Sequence, residues 1–123
     1  GILSRANMPS ETDFIASADA TLAAIGNALD RALDASDADA DWSLNDGILE
    51  IECEDGSKLI VNRHVPNREI WVAARSGGFH FRPQQGRWRD TRSGEELGSA
   101  LGALVAAQGA VTLGPLELAA PGS

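Results

Sequence analysis

Residues 55–82 read DGSKLIVNRHVPNREIWVAARSGGFHFR, and this stretch decides the fold. Three apolar, β-rich runs lie here between turn residues, which predicts consecutive antiparallel strands over 58–63, 69–74 and 79–82. Asp55-Gly56 is a dipeptide that supplies the positive φ angles of a tight hairpin turn. Pro66-Asn67 breaks the run between the first two strands, and Ser76-Gly77-Gly78 turns the chain before the third. Side chains alternate between the two faces of a strand. Ile70, Val72 and Ala74 therefore share a face with one another, as do Phe79 and Phe81, and these form a candidate core. The other face carries Asn62, Trp71 and His80, a mixture that core packing alone would not select.

Upstream, Ser10 is a good helix N-cap, with Glu11 and Asp13 placing negative charge in the first turn. Phe14, Ala18, Leu22, Ile25, Leu29 and Leu33 recur at spacings of four and three, which predicts an amphipathic helix ending near Asp34 or Ala35. Residues 36–44 read as a short acidic strand, with Ala40, Trp42 and Leu44 on one face. Asn45-Asp46-Gly47 is a hairpin signal. In 48–54, Leu49, Ile51 and Cys53 then alternate with Glu50, Glu52 and Glu54.

Downstream, 84–86 turns the chain into a brief strand over 87–90, with Trp88 inward. Ser93 and Gly94 open a second helix, where Glu95 and Glu96 complement the N-terminal dipole. Its apolar stripe is Leu97, Leu101, Leu104 and Val105, and Gly98 and Gly102 weaken it. Residues 1–9 read as a lead, either disordered or foreign to the natural chain. Residues 10–113 form the domain and 114–123 a tail. Within that tail, Leu116 and Leu118 could fold back into a groove that Gly98, Gly102 and Ala106 leave unfilled. Helix, five to six antiparallel strands, then helix predicts an α+β two-layer sandwich, both helices on one face of the sheet.

The whole chain, 123 residues, suffices for one such core, and 43% hydrophobic with 23% charged residues places it among globular rather than disordered sequences. Its apolar runs are too short to span a bilayer. No secretory signal opens it, and the single cysteine, Cys53, excludes an intramolecular disulfide, so a cytoplasmic setting is expected. A net charge of −8 argues against a nucleic-acid partner and favours cations or a basic protein surface.

No nucleophile elbow, phosphate-binding glycine loop or zinc-protease helix motif occurs, and the chain does not read as an enzyme. Cys53 reads as a buried, inert thiol and His64 as a solvated loop residue. The informative feature is acidic. Asp30 and Asp34 stand one turn apart on the first helix, and Asp37, Asp39 and Asp41 continue along the adjoining strand. Like charges at i and i+4 are destabilising, and carboxylates at a helix C-terminus oppose the dipole. Stability alone would select against the arrangement. The residues leave two readings open, a solvated acidic surface and a cation site. Trp71, outward beside Asn62 and His80, is a second candidate, since tryptophan is enriched at interaction hot spots.

Taken in order, Gly56-Ser57-Lys58, Asn62-Arg63, Ile70-Trp71, Gly77-Gly78-Phe79-His80-Phe81 and Trp88-Arg89-Asp90, then Arg92-Ser93-Gly94-Glu95-Glu96, resemble the CyaY-type, bacterial branch of the frataxin family. The resemblance runs from about Ser10 to Leu113. It implies the same α+β sandwich, and it makes Asp30, Asp34, Asp37, Asp39 and Asp41 an acidic ridge that binds iron. Hard oxygen donors suit Fe2+ or Fe3+, and equally other divalent or trivalent cations. Alternate strand residues lie roughly 6.5–7 Å apart, too far for a closed shell on one ion, so such sites are weak and exposed. The resemblance further implies regulation of iron–sulfur cluster assembly through a cysteine desulfurase and a scaffold protein, with Asn62, Trp71 and His80 on the partner-binding face. It implies a monomer, with metal-dependent oligomers as the alternative. One departure is that Gly26, Asn27 and Ala28 stand where the ridge often carries further acids, which implies a lower iron capacity. The rival reading is an acidic protein-interaction domain that binds metal only incidentally.

Overall fold

The computed structural model describes residues 8–122; of the lead expected over 1–9, residues 1–7 lie outside the described residues. The elements in order are α1 (Glu11–Asp34), β1 (Asp41–Asn45), β2 (Ile48–Glu52), β3 (Lys58–His64), β4 (Glu69–Ala74), β5 (Gly77–Gln84), β6 (Arg87–Asp90) and α2 (Leu97–Gly109). The strands form one six-stranded antiparallel sheet in sequence order, each paired with the next. Both helices pack on one face. Their apolar residues share a single core with Leu49, Ile51, Leu59, Val61, Ile70, Val72, Phe81 and Trp88. Among the described residues no element covers the other face, the open face of the sheet.

Local chemistry explains the boundaries. The Ser10 hydroxyl accepts from the Asp13 N–H at 3.1 Å and starts α1. Asp46 and Gly47 both take positive φ, the geometry of a two-residue hairpin turn whose twist suits the flanking strands. Between β2 and β3, the Asp55 carboxylate accepts from the Ser57 hydroxyl at 2.6 Å and from the Ser57 N–H at 2.9 Å, and pairs with Arg75. These contacts, the Ser57 hydroxyl first, hold its carboxyl well below the usual carboxylate range.

Gly77 and Gly78 pair with Ala74 and Ala73, so β5 is longer than the strand expected over 79–82 and the turn before it is Arg75-Ser76, while β2 ends at Glu52 rather than Glu54. Two further boundaries differ from expectation. The strand expected over 36–44 begins only at Asp41. Pairing with β2 ends at Asp41 opposite Glu52, because Cys53 turns away to bond the Ser57 carbonyl, and no strand edge remains for 36–40. The second helix begins at Leu97, not Ser93. Gly94 is left-handed, and Glu96 is extended and bridged to Arg89 of β6, so Glu95 and Glu96 precede the helix.

The tail packs. Leu118 is 6% exposed within the core, and Leu116 packs against it. Ala119 bridges Arg87 at the β6 edge, the Ala120 N–H donates to the Gly86 carbonyl at 2.9 Å, and the Ser17 hydroxyl donates to the Ala119 carbonyl at 3.3 Å. Gly98 admits the tail: a Cβ there would lie 2.4 Å from the Leu116 carbonyl oxygen, whereas one at Gly102 would meet nothing within 4 Å. Gly102→Ala is therefore expected to stabilise the protein by about 0.5–1 kcal/mol through backbone entropy and helix propensity. Gly98→Ala is expected to destabilise it by pushing the tail off α2. Denaturant midpoints of the two variants moving in the same direction would contradict this.

Candidate metal and partner surfaces

The acidic residues gather where α1 ends and the sheet begins. Asp30 and Asp34 lie on the last turns of α1, Asp37 and Asp39 in the connection, and Asp41 at the first position of β1; all five are exposed. Asp37 and Asp39 are thus loop residues, not the strand residues expected, and only Asp41 sits in the ladder. A loop can bring carboxylates closer than a strand's fixed alternation permits. As placed here, no three His, Cys, Asp or Glu side chains among the described residues come together as a set that could hold an ion.

Asp30 is additionally engaged. The Trp42 indole N–H donates to its Oδ1 at 2.8 Å, which pins β1 to α1 and leaves the other oxygen to solvent. The indole ring lies over Gly26, where a Cβ would sit 2.6 Å from Cη2. Gly26 and Ala28 are buried, and only Asn27 of that trio faces water. Two of the three positions expected to have lost a ridge acid are therefore packing positions in this chain.

The open face holds a second constellation. Asn62, Trp71 and His80 lie in one row across β3, β4 and β5, directly opposite one another in register. The half-buried Trp71 is stacked between two imidazoles: His64 at 3.7 Å between ring centroids and 8° between planes, His80 at 4.3 Å and 6°. His64 is the last residue of β3 and part of this stack, not a solvated loop histidine. Beneath it lies Glu69, with a side chain only 4% exposed. Glu69 accepts from the Trp71 indole N–H at 2.9 Å and from Arg82 at 3.0 Å, and His80 Nδ1 stands 3.8 Å away. A buried carboxylate is tolerated only when paired and hydrogen-bonded, and Glu69 is both. The stack covers both faces of the indole and fixes its ring, so the tryptophan offers an ordered edge to solvent. Sequence reasoning missed Glu69. The signal available was its position two residues before Trp71, which puts both side chains on one face of β4.

A family model described as the frataxin-like domain matches residues 7–110. The chain belongs to the frataxin-like family. The "Iron-sulfur cluster assembly protein CyaY" of Cupriavidus pinatubonensis is 50% identical over 104 residues, covering 85% of this chain and 94% of that protein. The protein of the same name from Ralstonia nicotianae is 50% identical over 101 residues, covering 82% and 89%. Among solved structures, frataxin from Psychromonas ingrahamii superposes with a TM-score of 0.73 at 31% identity, over 89% of this chain and 100% of that one. Trimeric yeast frataxin, complexed with ferrous iron, superposes with a TM-score of 0.65 at 28% identity, over 72% and 81%. In this frataxin-like chain, the acidic junction and the tryptophan stack occupy separate regions, one at the β1 edge and one at mid-sheet.

Proposed function

We propose that the protein is an iron-binding regulator of iron–sulfur cluster assembly, acting through a cysteine desulfurase and the scaffold on which clusters form. The observation that carries this reading is the run of five exposed carboxylates at the α1–β1 junction, in a chain about half identical to proteins named for cluster assembly. Asp30 and Asp34, like charges one turn apart on the last turns of α1, oppose its dipole, a cost that the Trp42 N–H offsets in part at Asp30 and that a bound cation would relieve further. Their oxygen donors suit iron as a passing cargo, held weakly and with water completing the shell, and other hard cations would compete. The ferrous complex of yeast frataxin supports iron as the ion.

The same negative field would draw a basic desulfurase surface. Asn62, Trp71 and His80 then supply the scaffold contact, with the stack holding Trp71 in the orientation that contact needs. The protein performs no covalent chemistry in this scheme; it presents iron and modulates the desulfurase, as a monomer. A second reading, an acidic protein-interaction domain with incidental metal binding, is favoured by one observation: the described carboxylates do not converge on a common point. A reconstituted cluster-assembly reaction with the two surfaces altered separately distinguishes the readings.

A further inference from the structure

We propose that Arg82, Arg87 and Arg89 form a docking stripe for a carboxylate-rich segment of a protein partner, distinct from the acidic junction and its iron. Phe81 and Trp88 are buried in the core, so alternation places Arg82 of β5 and Arg87 and Arg89 of β6 on the open face. Arg82 and Arg89 are directly opposite in register. Like charges opposed across a ladder are destabilising; pairing with the buried Glu69 accounts for Arg82, and it leaves Arg89 as the charge that folding does not explain. Neutralisation is partial. Glu69 meets Arg82 from beneath, and Glu96 meets Arg87 Nε at 3.3 Å. Arg89 touches no carboxylate among the described residues, and its Nη1 donates to the Gly94 carbonyl at 3.2 Å. Guanidinium forks match carboxylates in geometry and bind them in pairs of parallel hydrogen bonds.

Charge distribution selects the occupant. The chain carries −8 overall, yet four of its ten basic residues, Arg82, Arg87, Arg89 and Arg92, fall within residues 82–92, where the one acid, Asp90, accepts from the Arg92 and Ser93 N–H groups. The strand order sets that stretch and the acidic β1 at opposite ends of the sheet, five strand spacings or roughly 24 Å apart. This exceeds the Debye length of about 8 Å at physiological salt, so the two poles act independently. An acidic segment is attracted at β5–β6 and repelled at β1, which fixes its orientation across the Trp71 row. A long polyanion such as a nucleic acid would overrun the stripe and meet the negative remainder of the surface.

Fluorescence anisotropy with dye-labelled hexaglutamate, at low ionic strength, tests the proposal on the whole chain. Arg89→Glu is expected to weaken binding tenfold or more, and Asp39→Lys is expected not to weaken it. Arg89→Glu removes the opposed like charge together with the hydrogen bond to the Gly94 carbonyl, two small and opposing effects, so its far-UV spectrum and its melting transition are expected to stay close to the parent's, which separates lost docking from lost folding. Unchanged hexaglutamate binding by Arg89→Glu would overturn the stripe. Equal or tighter binding of a single-stranded DNA hexamer by the parent would overturn the assignment to a protein segment.

Discussion

Ending the chain after Leu113 is expected to lower its stability by about 2–4 kcal/mol and its Tm by roughly 10 °C. The truncation removes Leu118 from the core and Leu116 from its flank, and full burial of a leucine is worth about 1.5–3 kcal/mol. It also removes the Ala119 bridge to Arg87 and the Ala120 hydrogen bond to Gly86, which cover the outer edge of β6. The uncovered groove along α2 is lined by Gly98, Gly102 and Ala106, too small to close over the walls the tail leaves. The entropy released by freeing the tail offsets part of this loss, which is why the expected change is smaller than the sum of the contacts. Equal denaturant midpoints for the full and shortened chains would mean that the tail contributes nothing and the helix pair closes without it.

The second large effect concerns function. Reversing Asp37 and Asp39 to Lys together is expected to abolish both iron binding and desulfurase regulation while leaving the fold intact. Both side chains are exposed in the α1–β1 connection, so the exchange disturbs no packing, but it inverts the local field that draws cations and basic surfaces. Trp71→Ala is expected to spare iron binding and to weaken the scaffold contact by about 2 kcal/mol or more, the scale of an aromatic hot spot. Cluster-assembly rates measured with both variants decide between the readings. If both regulate assembly like the parent, regulation does not run through these surfaces, and the acidic interaction domain stands in its place.

The strands were legible because their alternation is regular and their turns carry marked residues. Ile70 and Val72 against Trp71, and Asn45-Asp46-Gly47 between β1 and β2, state their geometry locally. So does the four-and-three spacing from Phe14 to Leu33. The acidic connection misled for the same reason: Asp37, Asp39 and Asp41 alternate with alanines and mimic a strand, although no partner edge extends beyond Glu52 to pair with them. Other features depend on chain segments distant in sequence. Gly26 makes room for the ring of Trp42, and Gly98 for the backbone at Leu116. His64 is partly covered because the β3–β4 register sets it diagonally to Trp71, a relation that no single strand displays. The candidate carboxylates could be named from sequence because exposure and charge are local properties, whereas the bond that engages Asp30 with Trp42 could not.

The central claim is that iron is bound at the α1–β1 junction. A titration with Fe2+ under anaerobic conditions, followed by loss of backbone amide signals in NMR, tests it most directly, since a paramagnetic ion broadens its nearest neighbours first. The amides around Asp30, Asp34, Asp37, Asp39 and Asp41 are predicted to disappear before any others. Broadening centred instead on His64 or His80 would contradict the claim and place the iron on the imidazoles of the open face.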